Sequence, residues 1–143
     1  MITPTQWGLF CGCLAVGTLF ATAAAEDAQE TPVPVYELRT YTTHPGRMDA
    51  LHARFRDHTM RLFARHGMEN VIYFTPTDQE NTLVYLLRHK SRDAANASWK
   101  AFREDPEWQK ARTESEKDAP IVKKVVSQYL TETDYSPALT GAK

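Results

Sequence analysis

The stretch "PVYELRTYTTHPGRMDALHARF" (residues 34–55) contains the clearest signals of secondary structure in the chain. Its first half, Val35 to Thr43, is rich in β-branched and aromatic residues and stops at a His-Pro-Gly turn, which predicts a β-strand. Because side chains alternate across a strand, one face of this strand carries Glu37, Arg39 and Tyr41. An acid, a guanidinium and a phenol in a row indicate that this face either meets water or lines an enclosed space.

The second half of that stretch opens a long amphipathic helix, predicted over Arg47 to His66. Its large apolar residues recur at spacings of three, four and seven, as on one face of an α-helix: Met48, Leu51, Phe55, Leu62 and Phe63. Gly67 is placed to end the helix. The first fifth of the folded region therefore predicts a strand followed by a helix.

The rest of the chain continues the alternation of strands and helices. Ser91 is placed to cap a helix that runs to about Glu104, and Asp105-Pro106-Glu107 is typical of a further helix start. The remaining strands are predicted at Met68–Thr75, Thr82–His89 and Pro120–Thr133. The order β-α-β-β-α-β predicts an α+β fold of the ferredoxin-like type, a four-stranded antiparallel sheet with helices on one face.

Several of these strands are apolar on both faces, as in "VIYF", "LVYLL" and "IVKKVV". Exposed apolar patches of this kind usually mark an interface. We therefore predict a homodimer in which two sheets pair as a dimeric α+β barrel. The alternative is a monomer whose free sheet face is partly apolar.

Composition excludes several classes of partner and site. The chain has 143 residues and a net charge of −1, with 17 basic and 18 acidic residues, so it gives no electrostatic reason to expect nucleic-acid binding. The sequence contains no Gly-rich phosphate loop, no His-x-x-x-His pair and no acidic metal cluster. We therefore predict one domain without a metal site.

The first 25 residues differ from the rest, because they contain no Asp, Glu, Lys or Arg. The apolar run Trp7–Phe20 precedes the small residues "ATAAA", which is typical of a secretory signal peptide cleaved after Ala25. The alternative, an uncleaved anchor, is disfavoured because a span needs about 20 apolar residues. We expect an exported protein, periplasmic or extracellular, without a stable membrane span after cleavage.

Cleavage would leave three regions in the mature chain. Residues 26–34 are predicted to be an extended tether, 35–137 the folded domain and 138–143 a flexible tail. Cys11 and Cys13 both lie in the signal segment, so the mature chain would contain no cysteine and no disulfide.

Three parts of the sequence together resemble the NIPSNAP family: "VYELRTYTTHPGRMDAL" (residues 35–51), the helix with Trp99 and Phe102, and "DPEWQKA" (residues 105–111). The resemblance covers roughly Val35 to Pro137. It implies a dimeric α+β barrel, in agreement with the fold predicted from the residues. The family is similar to barrels that bind small molecules, but the resemblance implies no particular reaction.

The candidate ligand-binding residues are Glu37, Arg39, Tyr41 and His89. We expect the first three on the free sheet face, lining the barrel lumen, where Arg39 paired with Glu37 could orient an anionic or carbonyl-bearing ligand and Tyr41 could donate a hydrogen bond. The alternative is that the Glu37–Arg39 pair only holds the barrel together. His89 ends a strand and is expected at the barrel mouth as a general base or haem ligand, or else in solvent.

The other candidates favour structural roles. The remaining histidines, His44, His52, His58 and His66, are interpreted as turn or solvated helix positions. Trp99, Phe102 and Trp108 have core spacing. Three functions stay open: a small-molecule-binding barrel, a cofactor-independent or haem-linked oxygenase, and a non-catalytic interaction module of the cell envelope.

Overall fold

The computed structural model describes residues 33–137. The predicted signal peptide (1–25), most of the predicted tether (26–32) and the predicted tail (138–143) lie outside the described residues. Within residues 33–137, no helix is long and apolar enough to cross a membrane. In that same part of the chain, no three His, Cys, Asp or Glu side chains lie close enough together to hold a metal ion.

Four strands form one antiparallel sheet: β1 (Val35–Thr43), β2 (Glu69–Phe74), β3 (Thr82–His89) and β4 (Val122–Leu130). Their order across the sheet is β2-β3-β1-β4, so β1 and β3 are the central strands. This order, together with the helices that connect the strands, confirms the ferredoxin-like α+β fold.

The predicted first helix is present with a change of winding in its middle. It consists of α1 (Met48–Arg54), a π-helical segment (Phe55–Thr59) and α2 (Met60–Arg65) in direct succession. Within the π-helical segment, the Thr59 hydroxyl donates to the Arg54 carbonyl oxygen at 3.1 Å. Four of the predicted apolar residues are buried: Leu51, Phe55, Leu62 and Phe63.

The two later helices, α3 (Arg92–Glu104) and α4 (Pro106–Ser115), begin where their capping residues predict. The Ser91 hydroxyl accepts a hydrogen bond from the Ala94 backbone N–H at 3.1 Å. The Asp105 carboxylate accepts one from the Glu107 N–H at 2.7 Å, and Pro106 occupies the first helical position. The cap of α4 therefore directly follows the last residue of α3.

The helices cover one face of the sheet, and the core lies between them. On this face β3 contributes Leu83, Tyr85 and Leu87, all buried. The opposite face has no covering element within residues 33–137, yet it carries apolar side chains such as Ile72 (43% exposed) and Phe74 (52% exposed). The prediction that the strands are apolar on both faces is confirmed.

Candidate functional site

The predicted site residues lie on the helix-covered face of the sheet. The pairing register places Glu37 opposite Leu87, Arg39 opposite Tyr85, and Tyr41 opposite Leu83, all partners that face the core. The expectation that Glu37, Arg39 and Tyr41 occupy the free sheet face is therefore wrong. The face that is free of helices carries Tyr36, Leu38 and Thr40 instead.

The Glu37 carboxylate joins three strands and a helix. It is 1% exposed and accepts hydrogen bonds from the Arg39 guanidinium (2.5 Å), the Trp99 indole N–H (2.6 Å) and the Ser127 hydroxyl (2.6 Å). The His89 Nε2 lies 3.0 Å from the second carboxylate oxygen. These donors belong to β1, α3, β4 and β3 respectively, so one buried charge fixes the relative position of four elements.

The protonation state of Glu37 follows from these contacts. Burial by itself raises the pKa of the carboxyl group, but the hydrogen bonds from His89, Ser127, Trp99 and Arg39 outweigh it and lower the pKa to about 2. Burial opposes the charge on Arg39, whereas its contacts with Tyr41, Tyr85 and Glu37 raise the pKa of the guanidinium. Both groups are therefore ionised at neutral pH.

His89 is buried beneath this cluster. Its side chain is 0% exposed, and Nε2 is directed at Glu37. Neither expected position, the barrel mouth or solvent, is therefore correct. With a proton on Nε2 the ring donates to the carboxylate, while Nδ1 has no hydrogen-bond partner within the described part of the chain. His89 therefore supports Glu37, and it lines neither of the two cavities described below.

Arg39 has a partner for each of its three nitrogens. Nε donates to the Tyr85 hydroxyl at 3.0 Å, one Nη to Glu37, and the other to the Tyr41 hydroxyl at 3.4 Å. The guanidinium also lies over the Trp99 ring, 4.2 Å from its centroid. The structure therefore confirms that Glu37 and Arg39 pair and that Tyr41 is near them.

A cavity of about 570 Å³ opens between β1, β4 and the helices. Its lining includes four aromatic side chains, Tyr41, Trp99, Phe102 and Trp108. Six cationic residues also line it: Arg39, Arg54, Arg103, Arg112, Lys123 and Lys124. Glu116 is the one carboxylate residue in the described lining. We call this the larger cavity.

A second cavity, of about 290 Å³, shares Arg39, Trp99 and Arg103 with the larger one. The rest of its lining is mainly polar: Glu37, Asn96, Ser127 and Tyr129. We call it the smaller cavity. Arg39 and Trp99 therefore lie at the boundary between the larger cavity, whose lining is aromatic and cationic, and the smaller cavity, whose lining is mainly polar.

The NIPSNAP family model matches residues 36–137, which is most of the chain. The chain belongs to the NIPSNAP family. This confirms the resemblance seen in the "YELRTY" strand and the "DPEW" helix start. No match was found among functionally curated proteins.

Solved NIPSNAP structures share the fold. A NIPSNAP-like domain protein from Burkholderia xenovorans superposes with a TM-score of 0.64 at 18% identity, covering 73% of this chain and 89% of that one. A NIPSNAP protein of unknown function from Agrobacterium tumefaciens gives 0.64 at 22% identity, covering 73% and 93%. A Caulobacter crescentus protein provisionally assigned as an antibiotic biosynthesis monooxygenase gives 0.53 at 15%, covering 73% and 93%.

Two cationic residues of the candidate site were not predicted from the sequence. Arg54, which no motif singled out, is buried, pairs with Glu116 at 3.0 Å and lies over Trp108. Arg103 lies one helical turn beyond Trp99, a spacing that could have indicated a shared face. His66, expected in solvent, instead has Nε2 2.7 Å from the Asp105 carboxylate.

The aromatic residues have two roles in this domain. Trp99 and Phe102 are buried in the core, as predicted, and Trp108 packs against it. All three also line the larger cavity. The prediction of core packing is confirmed, but it did not anticipate that the edge of the core is also the wall of a cavity.

Proposed function

We propose that this NIPSNAP domain binds a small amphipathic molecule in the larger cavity, within one chain and between its sheet and helices. The observation that carries the proposal is a cavity of about 570 Å³ in which aromatic rings and cationic groups face the same space. Ligand sites in proteins usually measure 300–1,000 Å³ and combine an apolar lining with few placed polar groups.

The contacts of Arg39 support a prepared site. The Glu37 carboxylate accepts hydrogen bonds from both the Arg39 guanidinium and the Trp99 indole N–H, and the guanidinium lies over the Trp99 ring, so these contacts restrict both cavity-lining side chains. Pre-ordered side chains reduce the entropy lost when a ligand binds. The proposed site replaces the barrel lumen expected from the sequence.

The binding proposal is tested by calorimetric titration with biphenyl-4-carboxylate, an aromatic acid that fits this volume. We expect saturable binding that is lost in Val125→Trp, because Val125 lines the larger cavity and is 43% exposed. Val126→Trp is the matched control, since the next residue of β4 points to the opposite sheet face. Absence of binding, or equal binding by Val125→Trp, would contradict the proposal.

An oxygenase activity is the second candidate, and its support is the fold shared with the Caulobacter protein. A shared fold alone carries no reaction. His89 does not fit the role of haem ligand, because the ring is completely buried and its Nε2 is directed at Glu37. The cofactor-independent form is tested by oxygen uptake with dihydroxyaromatic substrates. Uptake that is lost in Val125→Trp would favour it.

We further propose that two chains associate through the free sheet face. Its apolar residues include Ile72, Phe74, Val126 and Leu130, each at least 40% exposed. Buried apolar surface contributes about 25 cal/mol per Å², so a sheet-on-sheet contact of ordinary size supports a stable dimer. Under the interaction-module hypothesis, a different protein of the cell envelope would cover the same face. The mass of the purified protein distinguishes a homodimer from a chain that needs such a partner.

Export is the last part of the proposal, and it rests on the uncharged first 25 residues and the small residues before Glu26. Sequencing the N-terminus of the protein isolated from its own host tests it. We expect the chain to begin at Glu26 in a periplasmic or culture fraction. A chain that begins at Met1 in the membrane fraction would support the uncleaved anchor.

A further inference from the structure

We infer that the ligand carries an anionic group and that Arg103, rather than Arg39, binds it. This inference rests on the proposed binding site and specifies its ligand class: a planar apolar body with one carboxylate. From the sequence, Arg39 paired with Glu37 was expected to orient the anionic ligand instead.

The hydrogen-bonding capacity of Arg39 is already used within the protein. Nε, Nη1 and Nη2 each have a protein acceptor, and the Glu37 carboxylate neutralises the charge at 2.5 Å. The side chain is only 14% exposed. An arriving carboxylate would have to displace a buried carboxylate or a tyrosine hydroxyl to reach it, which leaves a buried group unpaired.

Arg103 is in the opposite situation. Its side chain is exposed, it lines both cavities, and within residues 33–137 it forms no ion pair and its guanidinium donates no hydrogen bond. An unoccupied guanidinium presents a planar pair of donors that matches a carboxylate. Its position one turn after Trp99 on α3 places it beside an aromatic wall.

The charge balance of the larger cavity favours the same ligand. Glu116, the one carboxylate residue in its described lining, already pairs with Arg54 at 3.0 Å and Arg112 at 3.3 Å. Lys123 also lines the cavity and forms no ion pair within the described residues. The cavity thus has an excess of positive charge that no group of the described chain neutralises, and an anion would supply the missing charge.

The shape of the lining defines the rest of the ligand. Trp99, Phe102 and Trp108 are neighbours along the wall, with ring centroids 5.7 Å apart for Trp99–Phe102 and 4.5 Å for Phe102–Trp108. Trp99 meets Phe102 edge to face, at 86°, and Phe102 is tilted by 33° from Trp108, so a ligand ring can pack face to face or edge to face with these rings. An aromatic or alicyclic acid of about two rings satisfies both the apolar wall and Arg103.

Three biphenyl probes of equal shape test the inference by calorimetry: biphenyl-4-carboxylate, biphenyl-4-carboxamide and biphenyl-4-methylammonium. We expect the carboxylate to bind at least about tenfold more tightly than the amide, because a charge-assisted pair is worth roughly twice a neutral hydrogen bond. Arg103→Gln should remove most of that preference and change binding of the amide by less than about twofold. The ammonium probe should bind most weakly.

Two further variants separate Arg103 from its neighbours. Lys110→Gln removes the same charge from an exposed position of α4 that lines neither cavity, and it should keep the preference. The double variant Glu37→Gln/Arg39→Gln, with its fold checked by circular dichroism, removes the buried pair without leaving either charge unpaired and should also keep the ratio of carboxylate to amide affinity. Equal affinities for the carboxylate and amide probes, or a carboxylate preference that Arg103→Gln retains, would overturn the inference while leaving the binding site in place. Failure of all three probes to bind would contradict the proposed function itself.

Discussion

Glu37 is the residue on which the site depends, because its buried charge is held by donors from four elements. Its pKa of about 2 lies below the ordinary value of 4.5, so the folded protein favours the ionised form. The resulting stabilisation is complete above pH 4.5 and is lost as the pH falls toward 2.

This linkage predicts a specific pH dependence. Protonation of Glu37 should lower the free energy of unfolding by about 3 kcal/mol between pH 5 and pH 2, since a change of one unit in pKa is worth about 1.4 kcal/mol. Urea titrations of the wild type and Glu37→Gln at several pH values give the free energy of unfolding of each protein as a function of pH. The difference between the two pH dependences isolates the contribution of the Glu37 carboxyl from that of others such as Asp105. Parallel pH profiles for the two proteins would contradict the assignment.

The indole of Trp99 allows a second prediction at this scale. Trp99→Phe keeps most of the ring packing but removes the N–H donor to Glu37, so it should destabilise the fold by about 1.5–3 kcal/mol, as for other hydrogen bonds to charged groups. Trp108→Phe is the control, since its indole N–H has no acceptor in the described structure. If both variants lose the same stability in urea unfolding, the Trp99–Glu37 hydrogen bond does not account for the stability lost in Trp99→Phe.

At the scale of elements, α3 places both Trp99 and Arg103, and its start is fixed by Ser91. Ser91→Ala should destabilise the protein by about 1 kcal/mol, whereas Ser91→Asn should stay near wild type because asparagine caps equally well. Thermal unfolding monitored by circular dichroism measures both. Equal melting temperatures for wild type and Ser91→Ala would show that the cap does not set the start of α3.

The elements themselves could be predicted from the sequence because their signals are local. Strand β3 has the predicted bounds Thr82–His89, and α3 and α4 begin at the predicted caps. The covered face of β1 could not be predicted in the same way. Its alternation shows which residues share a face, but both faces of the neighbouring strands are apolar, so the pattern does not say which one meets the helices.

The site was only partly predictable for a related reason. The pairing of Glu37 with Arg39 follows from their positions two residues apart on a strand, and the structure confirms it. The donors Trp99, Ser127 and His89 come from 52 to 90 residues away in the chain. Such contacts are set by tertiary packing, which a single sequence does not encode in any local pattern.

For the whole molecule, the free sheet face carries the prediction of a homodimer. Val126→Asp should shift the protein from dimer to monomer at micromolar concentration, because an aspartate buried in an apolar interface would be left unpaired. Val125→Asp is the matched control, since its neighbouring position on β4 faces the helices. Multi-angle light scattering measures both masses. A monomeric wild type at micromolar concentration would contradict the association.

The proposed ligand site lies inside one chain, between the sheet and the helices. The most direct measurement is the anomalous bromine signal from crystals of the protein soaked with 4′-bromobiphenyl-4-carboxylate. We predict a bromine peak beside Phe102 and Trp108, with the carboxylate directed at Arg103. A bromine peak on the free sheet face near Ile72 and Phe74, or none in either cavity, would contradict binding at this site.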